Sequence, residues 1–279
     1  MMTINRVFVG VATFPNPPEV YEATDTSLQA LRWDGDLQTI YFGADDPARS
    51  KYDNLTTKHN RMRVNVLEDN FDALLTIEAD MIVPPDALEK LAAVDADVIY
   101  GLYCSRHNGM WLCFENITPR SGVALNATPA RAKALWGQII PSAGAGFGCT
   151  LIHRRVLEKI EFRYEADTTF ADDWPFAVDV AAAGFTQAHH LGVVCGHIYA
   201  PGGPVLWPDP DIPRLYRVEG EAHSLSAMLS STLPVIATYR VRKRISGRTQ
   251  DYLPGSTIEL GSDAAAILLE RRAIEMLDE

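Results

Sequence analysis

The stretch FDALLTIEADMIVPPDAL, residues 71–88, joins an apolar strand, two acids and the start of a helix. Residues 71–77 form a largely apolar run of strand length, as expected for a strand buried on both faces of a parallel sheet. Two prolines and an acid, Pro84, Pro85 and Asp86, are typical of the first turn of a helix. The stretch therefore predicts a buried strand that ends in carboxylates and is followed by a helix.

The segments before this stretch show the same alternation. Residues 7–14 are an unbroken β-favouring run, and residues 37–42 form a second strand pattern. Helical spacing over residues 19–31 and about 54–69 separates the three strands. Because such crossovers are right-handed, this β-α-β-α-β order predicts that the strands lie in one sheet.

The alternation of strands and helices continues downstream of this stretch. Strands are predicted at 97–103, 149–153 and 190–195, and helices at 154–160 and 174–183. The fold class is therefore α/β, with a Rossmann-like, mostly parallel sheet flanked by helices.

Three further segments carry predictions about domain organisation. A boundary near Pro234 separates a catalytic domain, residues 1–233, from a small β-rich appendage, residues 234–279. Within the appendage, Asp263 to Met276 is predicted as a terminal helix. Asn116 to Gly137 shows little periodicity, which predicts a flexible loop over a site.

Composition limits the function classes. The net charge is −11 and the pI is about 5.1, which argues against nucleic acid or an anionic membrane as partner. The four cysteines show no CxxC spacing, and the N-terminus has no leader pattern. No apolar stretch is long enough to span a bilayer. We expect a soluble enzyme in a reducing cytoplasm, which is the host cytoplasm if the gene belongs to a phage.

The acids Glu78 and Asp80 follow the 71–77 strand at positions i and i+2. At the carboxyl end of a strand they would offer hard oxygen ligands to a divalent cation that bridges a diphosphate. The alternative is a solvated acidic loop. Gly146 lies in the turn GAGFG, residues 144–148, which allows either close approach to a ligand or a tight bend packed on the sheet.

Two more positions carry chemical groups at the ends of elements. Asp172 and Asp173 precede a helix, where acids either cap the first turn or supply a general base. His197 follows an apolar strand and is either structural or a metal ligand together with Asp80.

Taken in order, these motifs resemble the glycosyltransferase A fold, especially inverting family-2-like enzymes and their phage-borne relatives. Residues 74–88 are similar to the family's metal-binding segment, in which a strand ends in Asp-x-Asp. The resemblance implies that Asp80 is a metal ligand. Glu78 stands where the family usually has Asp, and it would contact ribose, metal-bound water or the metal itself.

The resemblance as a whole covers roughly residues 5–200 and implies the other site residues. Asp173 would be the catalytic base, with Asp172 in place of the family's usual Glu. His197 would complete the metal site, which binds Mn²⁺ or Mg²⁺. On the donor side, the resemblance implies contacts from Thr13, Phe14, Asp45 and either Asn60 or Arg61. Gly146 is also counted among the binding residues, and its turn resembles the family's acceptor-side glycine turn.

The resemblance implies a metal-dependent, hexosyltransferase-like glycosyltransferase that is inverting. Its donor would be a UDP-, GDP- or dTDP-sugar, and its acceptor a hydroxyl group of a carbohydrate, a protein or another molecule. A retaining enzyme on the same fold would use similar donor-side ligands.

Two other functions stay open. A sugar-1-phosphate nucleotidyltransferase also combines a parallel sheet with metal-binding carboxylates. It would carry a glycine-rich, basic loop after the first strand, whereas this chain has Pro15-Asn16-Pro17-Pro18. The last alternative is a non-catalytic carbohydrate-binding or assembly module, which Glu78 and the missing Glu at position 172 keep open.

Overall fold

The computed structural model divides the chain into two compact units, Met1–Gly220 and Glu221–Glu279, which are described separately. The structure describes residues 4–14, 18–43, 45–106, 109–125, 127–165, 171–199, 204–211, 216–218, 237–241, 245–246, 251–252, 257–260 and 274–276.

The first unit contains strands and helices in alternation. Its strands are β1 (Arg6–Ala12), β2 (Asp36–Phe42), β3 (Ala73–Glu78), β4 (Met81–Ile82), β5 (Val98–Leu102), β6 (Phe114–Thr118), β7 (Ser121–Ala124), β8 (Ile139–Pro141), β9 (Cys149–His153), β10 (Gln187–Val194), β11 (Gly196–Ile198), β12 (Val205–Pro208) and β13 (Tyr216–Val218). Its helices are α1 (Pro18–Gln29), α2 (Lys51–Glu68), α3 (Ala87–Ala92), α4 (Pro129–Leu135), α5 (Arg154–Leu157) and α6 (Asp173–Ala182).

The central sheet has seven strands in the order β2-β1-β3-β9-β5-β10-β8. β1 pairs in parallel with β2 and β3, and β5 pairs in parallel with β10. β9 is antiparallel to β3 and β5, and β8 is antiparallel to β10. Five strands therefore run in one direction and two in the other. This confirms the predicted α/β class with a mostly parallel sheet, and it is consistent with the glycosyltransferase A fold.

The apolar first strand explains why helices cover both faces of the sheet. Side chains alternate across a strand, so Val7, Val9 and Val11 join one buried cluster while Phe8 joins another. The second cluster includes the buried stripe of α2, which is Leu55, Met62 and Val66. Burial on both faces gives β1 the continuous apolar pattern seen in the sequence.

A second, smaller sheet, in the order β13-β12-β11-β4, extends from the end of β3. Its strand β4 pairs antiparallel with β11, so that Met81 lies opposite His197. The backbone N–H of Ile198 also donates to the carbonyl of Asp80 at 2.8 Å. This pairing brings two residues that are far apart in the sequence to the same end of the central sheet.

The predicted flexible loop at residues 116–137 is wrong for much of its length. Strands β6 and β7 form a hairpin, and helix α4 follows it. The side chain of Thr128 caps α4 by accepting from Arg131 N, and Pro129 occupies the first turn. Trp174 of α6 anchors the hairpin, because its indole N–H donates to Thr118 O at 2.9 Å. The capping residue, the proline and the tryptophan contact stabilise the hairpin and the helix locally, so these elements form without a long periodic apolar pattern.

In the second unit, the described residues form short strands. They are β14 (Ala237–Val241), β15 (Ile245–Ser246), β16 (Asp251–Tyr252), β17 (Thr257–Leu260) and β18 (Ile274–Met276). β14 pairs antiparallel with β17 and β18, so the predicted helix is wrong at Ile274–Met276. The pairing with β14 overrides the helical composition there. The remainder of that predicted helix lies outside the described residues.

The predicted boundary between residues 233 and 234 lies in the range 219–236, which is outside the described residues. It stays a prediction. Across the helices that the structure describes, we find none that combines the length and the apolar character needed to cross a bilayer.

Candidate active site

The end of β3 supplies the two acids of the site. Glu78 is the last residue of the strand, and Asp80 lies between β3 and β4. The turn is fixed from both sides, since Ala79 N donates to Ala12 O at 3.2 Å and Thr24 Oγ1 donates to Ala79 O at 2.8 Å. Asp80 is thereby buried, with 4% of its surface exposed.

A backbone carbonyl from another segment of the chain fixes the orientation of the His197 ring on β11. Its Nδ1 lies 2.8 Å from the carbonyl oxygen of Cys104, and a carbonyl only accepts hydrogen bonds. Nδ1 therefore carries the proton, and in the neutral ring Nε2 keeps its lone pair. In metal sites, a histidine ligand is commonly oriented by such a hydrogen bond from the ring nitrogen that does not bind the metal.

Glu78, Asp80 and His197 together form a potential cation site. One ligand atom from each lies within 4.8 Å of the other two. His197 Nε2 is 3.7 Å from Asp80 Oδ1, which is too long for a hydrogen bond. Among the described residues, neither of these buried atoms has a hydrogen-bond partner. A divalent cation would satisfy both atoms, so the residues present fit such an ion.

The surroundings of Glu78 and Asp80 shift their pKa values in opposite directions. Burial raises the pKa of Glu78, and the neighbouring Asp80 charge raises it further. Burial also opposes ionisation of Asp80, but His197 and Arg106 outweigh it and hold the pKa of Asp80 below its usual range. Nη1 of Arg106 donates to Asp80 Oδ2 at 2.6 Å. Asp80 is therefore the acid of this pair that is charged near neutral pH.

The glycine turn of residues 144–148 packs on Tyr103, a buried residue just after β5. The hydroxyl of Tyr103 accepts from Gly148 N at 3.1 Å. A Cβ added at Gly146 would lie 2.2 Å from the same hydroxyl and 3.3 Å from Asp173 Oδ2. The turn therefore packs tightly on Tyr103, which agrees with the predicted tight bend, and Gly146 lies next to the candidate base Asp173. Close approach of the turn to a ligand stays a prediction.

Asp173 begins α6, and its carboxyl group has an unusual proton affinity. Burial raises the pKa of Asp173 to about 7, helped by the charges of Asp172 and Glu78. A carboxyl group with such a pKa is half ionised near neutral pH. It can accept a proton from a substrate hydroxyl and release it again, which is the requirement for a general base.

Asp172 is more deeply buried than a capping residue on a surface helix. Its Oδ2 lies 2.7 Å from Nδ1 of His59 on α2, and both side chains are almost fully buried. Its Oδ1 has no hydrogen-bond partner among the described residues. The rings of Phe147 and Phe162 pack on His59. Asp172 is therefore anchored in the core next to Asp173 through its contact with His59.

The predicted donor-side residues Thr13, Phe14 and Asp45 converge on one lysine. Nζ of Lys58 lies 2.5 Å from both Thr13 O and Asp45 Oδ1, and 5.3 Å from the centre of the Phe14 ring. The Lys58 side chain is only 4% exposed. The structure thus brings these three predicted residues together around the buried ammonium group of Lys58.

Asn60 and Arg61 occupy different surroundings. The side-chain amide of Asn60 donates to Phe162 O at 2.7 Å and accepts from Phe162 N at 3.1 Å, so its polar atoms fix the backbone there. The guanidinium of exposed Arg61 lies over the ring of Phe42 at 5.3 Å. Their role near a nucleotide stays a prediction that these contacts do not support.

Sequence patterns did not single out four residues that line the site or support it: Lys58, His59, Tyr103 and Arg106. One signal could have found His59, because it falls on the apolar stripe of α2 that contains Leu55, Met62 and Val66. A polar residue on such a stripe is buried and needs a partner. No comparable signal marks Arg106, which lies outside regular secondary structure.

No protein-family model and no curated protein matches the sequence. Among solved structures, "GalNAc-T7 with UDP, GalNAc and Mn2+" is 12% identical with a TM-score of 0.47, over 72% of this chain and 45% of that one. "A197 from STIV" is 14% identical with a TM-score of 0.50, over 77% of this chain and 95% of that one. At this identity, the likeness to A197 shows a shared fold and nothing about activity.

Proposed function

We propose that this chain is a metal-dependent glycosyltransferase that moves a sugar from a nucleotide-sugar donor to an acceptor hydroxyl. The observation that carries the proposal is the group of Glu78, Asp80 and His197 at the carboxyl end of β3, with two buried ligand atoms facing each other. Open α/β sheets bind their ligands at the carboxyl ends of strands.

The ligand set favours Mn²⁺ over Mg²⁺. Mg²⁺ binds oxygen ligands and keeps most of its water, whereas an imidazole nitrogen beside two carboxylates suits a transition metal better. When bound, the cation would neutralise charge on the departing diphosphate, which is a poor leaving group without such stabilisation. Asp80 and His197 would hold the ion, and Glu78 would join them or orient its water.

The chain's own residues provide the base. Asp173 would take the proton of the acceptor hydroxyl, because its pKa of about 7 leaves it partly ionised at neutral pH. Asp172, fixed by His59, would hold the start of α6 in place. One base beside the glycine turn suits direct, in-line attack by the hydroxyl, and we therefore include an inverting outcome in the proposal.

The nucleotide would bind where Thr13, Phe14, Asp45 and Lys58 meet. The Phe14 ring offers a face for stacking a base, and Asp45, which is 32% exposed and held by buried Lys58, offers an acceptor nearby. The base could belong to a UDP-, GDP- or dTDP-sugar, and the experiment below distinguishes them.

The test is thermal stabilisation by a panel of nucleoside diphosphates and nucleotide sugars, each with and without Mn²⁺. We expect one nucleotide to raise the melting temperature only when Mn²⁺ is present, since a ligand that binds the native state alone stabilises it. Asp80→Ala should remove this shift. The matched control is Asp36→Ala, an exposed acid at the start of β2, which should keep it. No shift with any nucleotide in the wild type would overturn the proposal.

A further inference from the structure

Arg106 is an unusual neighbour for a cation site. Its Nη1 lies 2.6 Å from Asp80 Oδ2, while Oδ1 of the same carboxylate faces His197 without a hydrogen-bond partner among the described residues. One oxygen of Asp80 is thus bound to a guanidinium and the other is free to bind a metal ion. Both positive groups can occupy this carboxylate at once.

Two positive charges on one carboxylate repel each other. Arg106 should therefore weaken binding of a divalent cation when no anion is present, because it partly neutralises Asp80 and adds repulsion at short range. The same two charges become favourable when a multiply charged anion lies between them. A diphosphate has the charge and the several oxygen atoms needed to contact both.

The surroundings of Arg106 allow it to meet such an anion. It follows Ser105, whose backbone N–H donates to Met110 O at 2.8 Å. The Arg106 side chain is 38% exposed, although its partner Asp80 is only 6% exposed. The guanidinium can therefore keep one N–H on Asp80 and offer others outward, and its planar shape binds phosphate groups through two parallel hydrogen bonds.

We propose that Arg106 and the cation at Asp80 form one diphosphate-binding site, in which each strengthens the binding of the anion by the other. This inference rests on the proposed function, because it assumes a cation at Glu78, Asp80 and His197. Its consequence is a cooperative site: the cation alone binds weakly, the diphosphate alone binds weakly, and together they bind tightly. Arg106 would thus weaken metal binding at this site in the absence of donor.

The test uses the full chain and three variants, with binding measured by calorimetry. Arg106→Gln removes the charge, and Arg106→Lys keeps the charge but loses the planar guanidinium. The control is Arg6→Gln, since Arg6 is similarly exposed and ion-paired but lies at the amino end of β1. Three affinities are measured for each protein: Mn²⁺ alone, inorganic pyrophosphate alone, and pyrophosphate in saturating Mn²⁺.

We expect Arg106→Gln to bind Mn²⁺ alone about tenfold more tightly and pyrophosphate with Mn²⁺ about tenfold more weakly, so that the coupling is lost. Arg106→Lys should bind Mn²⁺ like the wild type and pyrophosphate more weakly. Arg6→Gln should match the wild type throughout.

Three results would overturn the inference. If Arg106→Gln binds Mn²⁺ and pyrophosphate like the wild type, the inference is wrong while the proposed function stands. If pyrophosphate binding depends on Arg106 but not on Mn²⁺, the two are not coupled and the inference is wrong. If the wild type binds no Mn²⁺ even with a nucleoside diphosphate present, the proposed function fails, and the inference fails with it.

Discussion

Asp173 combines two properties that usually conflict, since it is a charged residue type in a place that favours its neutral form. Burial and the charges of Asp172 and Glu78 raise its pKa to about 7, whereas a carboxyl group in an unfolded chain titrates near about 3.9. The folded protein therefore binds this proton more tightly than the unfolded chain does. Residues tuned in this way lower stability in exchange for reactivity.

The first prediction concerns stability and pH in Asp173→Asn. The stability that protonated Asp173 contributes is fully present below the unfolded pKa and is lost as the pH rises to about 7. The asparagine variant has no such loss. The melting temperature of the variant, minus that of the wild type, should therefore grow by roughly 3 °C between pH 5 and pH 7.5 in EDTA.

The same variant should lose transfer activity by about 10²–10⁴-fold, because the acceptor hydroxyl has no base. Asp179→Asn is the control for stability, as Asp179 lies on the same helix but pairs with Arg163 at the surface. A difference in melting temperature that does not change with pH would contradict the assigned pKa of Asp173.

At the residue scale, sequence patterns found the groups that stand at the ends of strands and helices. Asp80 and Asp173 belong to this class, because the end of an element can be located from its apolar pattern. His197 was located in the same way after the apolar run of β10, although it lies within the short strand β11. Lys58 and Arg106 do not. Lys58 is buried because Thr13 and Asp45 surround it from other elements, and Arg106 matters only because a turn brings it to Asp80.

At the element scale, the glycine turn of residues 144–148 depends on its fit to Tyr103. Gly148 N donates to the Tyr103 hydroxyl, and the space beside Gly146 is filled by that same hydroxyl. The Tyr103 ring also packs edge-on against His197 at 5.7 Å between centroids. One side chain, Tyr103, therefore packs against both the glycine turn and His197, the candidate metal ligand.

The second prediction is a double-mutant cycle on this turn. Gly146→Ala should destabilise the protein by roughly 1–3 kcal/mol, because the new Cβ would lie 2.2 Å from the Tyr103 hydroxyl. Tyr103→Phe should also destabilise it, by roughly 1–3 kcal/mol, because Gly148 N loses its acceptor. The cost of the double variant should be clearly smaller than the sum, since the clashing atom is gone.

Urea denaturation of the four proteins measures the cycle. Gly137→Ala gives a comparison at a glycine with nothing near its added Cβ but with a positive φ of 79°, so its cost reflects backbone strain alone. Additive effects in the double variant would show that the Tyr103 hydroxyl does not limit the space at Gly146.

Sequence patterns predicted elements well where one period dominates and poorly where local signals compete. The buried strands β1, β3 and β9 have continuous apolar runs, and their positions were confirmed within a few residues. The β6–β7 hairpin was missed because its strands are largely exposed and lack a strong apolar pattern. Its position depends on packing against Trp174, which a one-dimensional pattern does not show.

At the scale of the whole molecule, all the proposed site residues lie in the first compact unit, Met1–Gly220. The third prediction follows from this placement. A fragment of residues 1–233, cut at the predicted boundary, should keep the Mn²⁺-dependent stabilisation by nucleotide that the full chain shows. Differential scanning fluorimetry of both proteins measures it. A fragment that folds, as judged by circular dichroism, but loses the shift would show that the appendage contributes to the donor site.

A divalent cation held by Asp80 and His197 is the central element of the proposed function. The most direct measurement is anomalous diffraction from crystals of the full chain grown with Mn²⁺ and a nucleoside diphosphate. We predict an anomalous peak roughly 2.0–2.3 Å from both Asp80 Oδ1 and His197 Nε2, the usual distance for divalent cations on such ligands. Bound diphosphate with no peak between these two atoms, or with a peak elsewhere, would contradict a cation site at Asp80 and His197.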